Sequence, residues 1–172
     1  MGGAPVSKRT RQYIALLCAL AAYYLIHEGS HLLYALCIGT FRQINIMGLG
    51  VQIDVFADRM TDAQLGVFCL VGSLAALAAG YGLTAASGWI TRRKSAVLKA
   101  CMYYATMALL LVDPLYLSVL CGFFGGGDMN GIALLMPEIA ARIGYGVLLA
   151  VNGLLFVKVV YPRYKKAFAE VA

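Results

Sequence analysis

The sequence predicts an all-α membrane protein, a single polytopic domain over residues 1–172 in which about four helices cross the lipid bilayer. Hydrophobic residues make up 62% of the 172 residues and charged residues only 13%, which is typical of an integral membrane protein. Four apolar stretches each exceed the roughly 20 residues that a transmembrane helix needs. Most basic residues flank these stretches, so the net charge of +6 indicates no nucleic-acid partner.

The four predicted spans cover residues 13–39, 62–87, 97–124 and 132–161. The first is too long for the apolar region of a signal peptide. Thr61 and Gln64 form a capping box at the start of the second span. Proline lacks the backbone N–H that a helix needs, so Pro114 predicts a kink in the third span and Pro137 predicts a bend in the last.

A short membrane-associated β-hairpin is predicted over residues 44–55, between the first two spans. Apolar residues alternate with others around a Gly-Leu-Gly centre, which is the pattern of two strands joined by a tight turn. The hairpin is either an inert connector or a binding edge, because an exposed strand edge can pair with an extended peptide. In the second case the expected substrate-binding residues are Gly48, Leu49, Gly50, Val51 and Ile53.

The distribution of basic residues predicts how the chain is oriented in the membrane. Basic residues cluster in the N-terminal segment, in the connector between the second and third spans, and from Lys158 onward. Because basic segments are retained on the cytoplasmic side, both termini are expected in the cytoplasm. The hairpin then enters from the opposite face.

The segment His27-Glu28-Gly29-Ser30-His31 gives the clearest functional pattern. Residues four apart lie on nearly the same face of a helix, so His27 and His31 can direct two ring nitrogens at one Zn²⁺ ion. Glu28 is then placed to take a proton from water. The alternative is a polar patch that joins helices by hydrogen bonds. Metal binding is favoured because it compensates ionisable groups that are costly inside a membrane.

A catalytic zinc ion takes three protein ligands, and the acidic residues suited to be the third are Asp113 and Asp128. Asp113 lies deep in its span, whereas Asp128 reaches the site only if the glycine run at 125–127 folds back toward it. Geometry leaves this choice open. Asn130 and Asn152 are candidates for supporting the site or stabilising an oxyanion, although Asn152 is explained more simply as a hydrogen bond between helices.

These features together resemble the site-2 protease family of intramembrane zinc metalloproteases, over residues 13–135. They are HEGSH on the first span, a following hairpin, Val71-Gly72-Ser73 on the second span, and a later aspartate in glycine-rich surroundings. The resemblance implies that the two histidines and a distant aspartate bind zinc and that the glutamate of the motif activates water.

In that family the aspartate usually stands in a Leu-Asp-Gly motif. This chain has Gly127-Asp128-Met129, and it lacks the Asn-x-x-Pro segment that is common shortly before the aspartate. The resemblance still favours Asp128 as the third ligand. Asp113 would then accept a hydrogen bond that orients a histidine ring, or cap the kink at Pro114.

The predicted function is hydrolysis of a peptide bond in or near the transmembrane segment of another membrane protein. Zinc-activated water would be the nucleophile, with Glu28 as general base and acid. One alternative is a small metal-binding membrane transporter or sensor. Another is a relative without proteolytic activity that serves as a scaffold.

Overall fold

The computed structural model describes residues 7–47 and 50–169, which form long helices and one two-stranded sheet. In chain order the elements are α1 (Lys8–Cys37), β1 (Phe41–Met47), β2 (Gly50–Val55), α2 (Asp62–Ile90), α3 (Ala96–Leu115), α4 (Asp128–Ile132), α5 (Glu138–Leu155) and α6 (Tyr161–Ala169). π-helical turns extend α3 over Tyr116–Leu120 and join α5 to α6 over Phe156–Val160, and 3₁₀ turns cover Ala57–Arg59 and Cys121–Phe123.

Among the described residues, four helical segments are long and apolar enough to cross a membrane: Lys8–Cys37, Asp62–Ile90, Ala96–Phe123 and Glu138–Ala169. The number of long apolar helices and the two-stranded hairpin agree with the prediction. The last of these helices begins at Glu138, whereas the prediction placed the start of the last span at residue 132. Pro137 is the N-cap residue of α5; a proline is tolerated at a helix start, where no intrahelical partner is needed for its nitrogen.

The start of α2 has the capping arrangement that its sequence predicts. The backbone N–H of Gln64 donates to Thr61 Oγ1 at 3.2 Å, and the backbone N–H of Thr61 donates to Gln64 Oε1 at 2.9 Å. Two donors without helical partners are satisfied in this way. The helix therefore begins at a fixed residue.

Pro114 leaves a backbone carbonyl of α3 without its usual partner, and another helix supplies one. In an α-helix the N–H of residue 114 would donate to the carbonyl of Leu110, but proline has no N–H. Asn152 Nδ2 on α5 donates to that oxygen at 2.9 Å, and the hydroxyl of Tyr81 on α2 donates to Asn152 Oδ1 at 2.7 Å. This buried contact joins three helices at the proline.

Small residues on α2 allow close packing on both sides. Gly72 faces the imidazole rings of α1, and a Cβ added at Gly80 would lie 2.9 Å from Leu110 Cδ2 on α3. Gly72 therefore lets α2 approach α1 closely, and Gly80 lets it approach α3.

β1 and β2 pair in antiparallel register, with Ile44 opposite Ile53 and Asn45 opposite Gln52. Side chains alternate between the two faces of a strand. Val51 and Ile53 of β2 therefore point to one side of the hairpin and Gln52 to the other.

The basic segments meet at one end of the helical bundle. Lys99 Nζ at the start of α3 donates to a carbonyl of α6 at 2.7 Å, and the guanidinium of Arg11 lies 5.3 Å from the centre of the Phe168 ring. Arg163 donates to Ser87 Oγ near the end of α2 at 2.7 Å. The hairpin follows the opposite end of α1.

Candidate metal centre

Helix α1 brings two imidazole rings together. His27 and His31 are four residues apart and so project from one face of the helix, and their Nε2 atoms are 3.1 Å apart. Both side chains are buried. Close packing with α2 is possible because Gly72 has no side chain, since an added Cβ would lie only 2.9 Å from His27 Nε2 and would clash with His31 Nε2.

A glycine turn carries Asp128 to the same point. Gly125, Gly126 and Gly127 all have positive φ, at 79°, 88° and 51°, a conformation that favours glycine. Asn130 Nδ2 donates to the carbonyl of Gly125 at 3.0 Å and closes the turn. The glycine-rich stretch thus folds the chain back so that α4 begins at Asp128.

The Asp128 carboxylate completes a group of three ligand atoms. Asp128 Oδ2 is 3.1 Å from His27 Nε2 and 3.5 Å from His31 Nε2. Three ligands of a tetrahedral ion with bonds of about 2.0–2.1 Å lie about 3.3 Å from one another. The three observed separations bracket that value, so His27, His31 and Asp128 form a group that could hold a metal ion.

Hydrogen bonds behind the two rings determine which nitrogens are free to bind. His31 Nδ1 lies 2.7 Å from the carbonyl oxygen of Phe68 and His27 Nδ1 lies 3.2 Å from Asp113 Oδ2. Both partners are acceptors, so each Nδ1 carries the hydrogen, and Nε2 is the nitrogen that a neutral ring would offer to a metal ion. The hydroxyl of Tyr23 donates to the other oxygen of Asp113 and fixes that carboxylate.

Three atoms with electron pairs therefore face one another in the bundle. Positive charge between them is needed to offset their mutual repulsion. A proton on a ring Nε2 supplies some of it. Burial raises the pKa of the Asp128 carboxyl, but hydrogen bonds and charge interactions with His27 and His31 outweigh burial and lower the pKa to about 2. The carboxylate is thus ionised near neutral pH, as an oxygen ligand must be.

A cavity of 420 Å³ opens beside this group. Its wall includes Glu28 from α1, Gln52 from β2, Tyr116 after α3, and all three candidate ligands. Glu28 is partly exposed, whereas Asp113 is only 1% exposed. Of the two acidic side chains in this wall that are not candidate ligands, Glu28 is therefore the one open to a molecule in the cavity.

The other predicted site residues have different positions. Asp113 contacts Nδ1 of His27 and so lies behind the ring. This is the position expected if Asp113 orients a histidine ring and does not bind the metal itself. Asn130 is exposed and closes the glycine turn. Asn152 is fully buried and hydrogen-bonds to the Leu110 carbonyl and the Tyr81 hydroxyl, which is the hydrogen bonding between helices that the simpler interpretation expects.

Part of the hairpin also borders the site. Val51 and Ile53 line a second cavity that Glu28 shares, and Gly50 begins β2. Gly48 and Leu49, the remaining predicted substrate-binding residues, lie outside the described residues.

Tyr23 and the Phe68 carbonyl are partners of the site that the sequence did not single out. Tyr23 precedes His27 by four residues, so helical spacing places it on the face of the two histidines. The spacing of four residues could therefore have identified Tyr23 from the sequence. The Phe68 carbonyl carries no signal in the sequence, since every residue has one.

Comparison with known proteins gave no match: no protein-family model, curated protein or solved structure matches this chain.

Proposed function

We propose that this protein is an intramembrane zinc metalloprotease. The observation that carries the proposal is the meeting of His27 Nε2, His31 Nε2 and Asp128 Oδ2, all within 3.5 Å of one another, beside a cavity that Glu28 lines. Two imidazoles and one carboxylate are a donor set of catalytic zinc sites. The HEGSH motif and its resemblance to the site-2 protease family support the same function.

A zinc ion in this group would supply Lewis-acid chemistry, lowering the pKa of water toward about 7 and polarising a carbonyl. Glu28 accepts a proton from the attacking water as its oxygen bonds to the scissile carbonyl carbon. The C–N bond then breaks, and Glu28 returns the proton to the leaving nitrogen. Asp113 and the Phe68 carbonyl hold the two rings in the tautomer that leaves Nε2 free.

The proposed substrate is another membrane protein that presents an unwound segment to the cavity. A transmembrane helix hides its peptide bonds within its own hydrogen bonds, so it must unwind before it is cleaved. The edge of the hairpin offers backbone partners to such an extended segment. Because the hairpin lies against α1 near Glu28, strand addition would bring the substrate backbone to the catalytic residues.

The decisive experiment replaces Glu28 with glutamine. We expect Glu28→Gln to bind as much zinc as the wild type, because none of the three ligands changes. Cleavage of a co-expressed membrane substrate should fall by about 10²–10⁴-fold, the usual contribution of a general base. Zinc is measured by elemental analysis of the purified protein, and cleavage by immunoblot or mass spectrometry.

Glu138→Gln provides the matched control, because Glu138 is exposed and pairs with Arg142 on the surface of α5. It should retain both zinc and cleavage. Full cleavage by Glu28→Gln would exclude the mechanism. A wild-type protein that carries zinc across vesicle membranes and cleaves nothing would favour the transporter function instead.

A further inference from the structure

Glu28 lines a second cavity as well as the one beside the candidate metal group. This cavity has a volume of 330 Å³ and lies between α1 and the hairpin. Its other walls are apolar and include Leu25, Leu32, Ile44, Val51 and Ile53. The two cavities therefore differ in polarity and meet at the proposed general base.

Strand β2 separates the two cavities. Gln52 lines the cavity beside the metal group, whereas its neighbours Val51 and Ile53 line the apolar cavity. This follows from the alternation of side chains along a strand. The alternating sequence of β2 thus places a polar side chain in the cavity beside the metal group and apolar side chains in the other cavity.

Gly29 keeps the apolar cavity open at its helical wall. Glycine in a helix interior costs stability relative to alanine, and Gly29 is not among the glycines with positive φ. An added Cβ would have no heavy atom within 4 Å. Neither backbone conformation nor close packing requires glycine here, and the space above it belongs to the cavity.

We infer that this apolar cavity is a specificity pocket for one large apolar side chain of the substrate, such as leucine, isoleucine or phenylalanine, on a residue that flanks the scissile bond. The inference rests on the proposed proteolysis. Side chains on either side of a peptide bond project in opposite directions from an extended chain. With that bond at Glu28, one flanking side chain is directed to the metal-side cavity and the other to the apolar cavity.

The first test measures occupancy without catalysis. A synthetic apolar transmembrane peptide carrying photo-leucine is irradiated with the Glu28→Gln protein, and the crosslinked residues are mapped by mass spectrometry. We expect crosslinks to Leu25, Leu32 and Val51. Adding Gly29→Leu should reduce them at least tenfold by filling the pocket. Gly153→Leu is the matched control, because a Cβ there also meets nothing within 4 Å.

The second test measures cleavage specificity with a library of transmembrane peptides that vary around the cleaved bond. The wild type should prefer leucine, isoleucine or phenylalanine on one side of that bond. Gly29→Leu should shift the preference toward alanine and glycine by at least tenfold, since each apolar methylene contributes about that factor or more. Its zinc content should not change, and Gly153→Leu should behave as the wild type does.

The two tests separate failure of the pocket from failure of the protease proposal. Crosslinks in the cavity without any cleavage by the wild type would show that the cavity binds an apolar side chain, but would overturn the protease and with it the pocket's role in cleavage specificity. Cleavage with the same residue preference in the wild type and Gly29→Leu would overturn the pocket alone. Absence of crosslinks in the cavity, or crosslinks that persist in Gly29→Leu, would also overturn it.

Discussion

At His27 two carboxylates act on different nitrogens of one ring. Asp128 faces Nε2 at 3.1 Å and Asp113 faces Nδ1 at 3.2 Å. The first is placed as a ligand, and the second accepts the Nδ1 hydrogen. Because a histidine ring binds metal through one nitrogen and is oriented through the other, the two aspartates should have distinct effects in the proposed metal site.

This difference predicts unequal losses of metal. Asp128→Ala removes one of three ligands, and we expect the purified protein to contain no stoichiometric zinc. Asp113→Ala leaves all three ligands in place, and the affinity should fall by about 10–100-fold, as is usual when the partner of a ligating histidine is removed. Affinity is measured by competition with a chromogenic chelator.

Asp58→Ala is the control for this pair, because Asp58 is an exposed residue in a connector turn. It should bind zinc as the wild type does. Equal losses in Asp113→Ala and Asp128→Ala would contradict the assignment of one ligand and one orienting residue.

At the residue scale, the predictability of the site depends on sequence separation. His27, Glu28 and His31 follow from local helical spacing, which fixes their relative positions whatever the rest of the fold does. The choice between Asp113 and Asp128 depends on how the glycine turn folds and on how deep each residue lies. Those are tertiary properties, so helical geometry left the choice open, and only the family resemblance favoured Asp128.

Among the helices, the contact between Asn152 and Leu110 explains how α3 tolerates a proline. Pro114 removes the donor for the Leu110 carbonyl, and Asn152 replaces it from α5. Hydropathy predicts that both helices exist, but it does not reveal which side chain pairs with the freed carbonyl. The boundary of the last span was missed for a related reason. The apolar residues 132–136 look like the start of a long helix, yet α4 ends at Ile132 and residues 133–136 lie in turns before Pro137.

A double-mutant cycle tests this compensation. Asn152→Ala should destabilise the protein by about 0.6–2 kcal/mol, the usual range for a hydrogen bond between membrane helices. In a Pro114→Ala background the loss should be smaller, because residue 114 then donates to Leu110 itself. Unfolding in mixed micelles gives the four free energies, and their coupling gives the interaction.

Zinc binding and cleavage serve as the internal control of this cycle. Both should persist in Asn152→Ala, because Asn152 contacts neither the ligands nor the cavity of Glu28. A specific 10²–10³-fold loss of cleavage with unchanged stability would instead point to an oxyanion role.

Across the whole molecule, the candidate site lies nearer the hairpin end of the bundle than the basic end. His27 is 19 residues after Lys8, which places it about 28 Å along a helix roughly 45 Å long. The basic contacts of Lys99 and Arg163 are at the other end. If that basic end is cytoplasmic, water and substrate reach Glu28 from the opposite side of the membrane.

The orientation can be tested with a thiol reagent that does not cross membranes. Gln43→Cys places a thiol on the exposed side of β1, and Lys94→Cys places one in the basic connector between α2 and α3. Because basic connectors are retained in the cytoplasm, we expect labelling of Gln43→Cys in intact cells and labelling of Lys94→Cys only after permeabilisation. The parent protein reports the background from its own exposed cysteines, Cys18 and Cys37. The reverse pattern would place the hairpin in the cytoplasm and would make cytoplasmic water the source of the nucleophile.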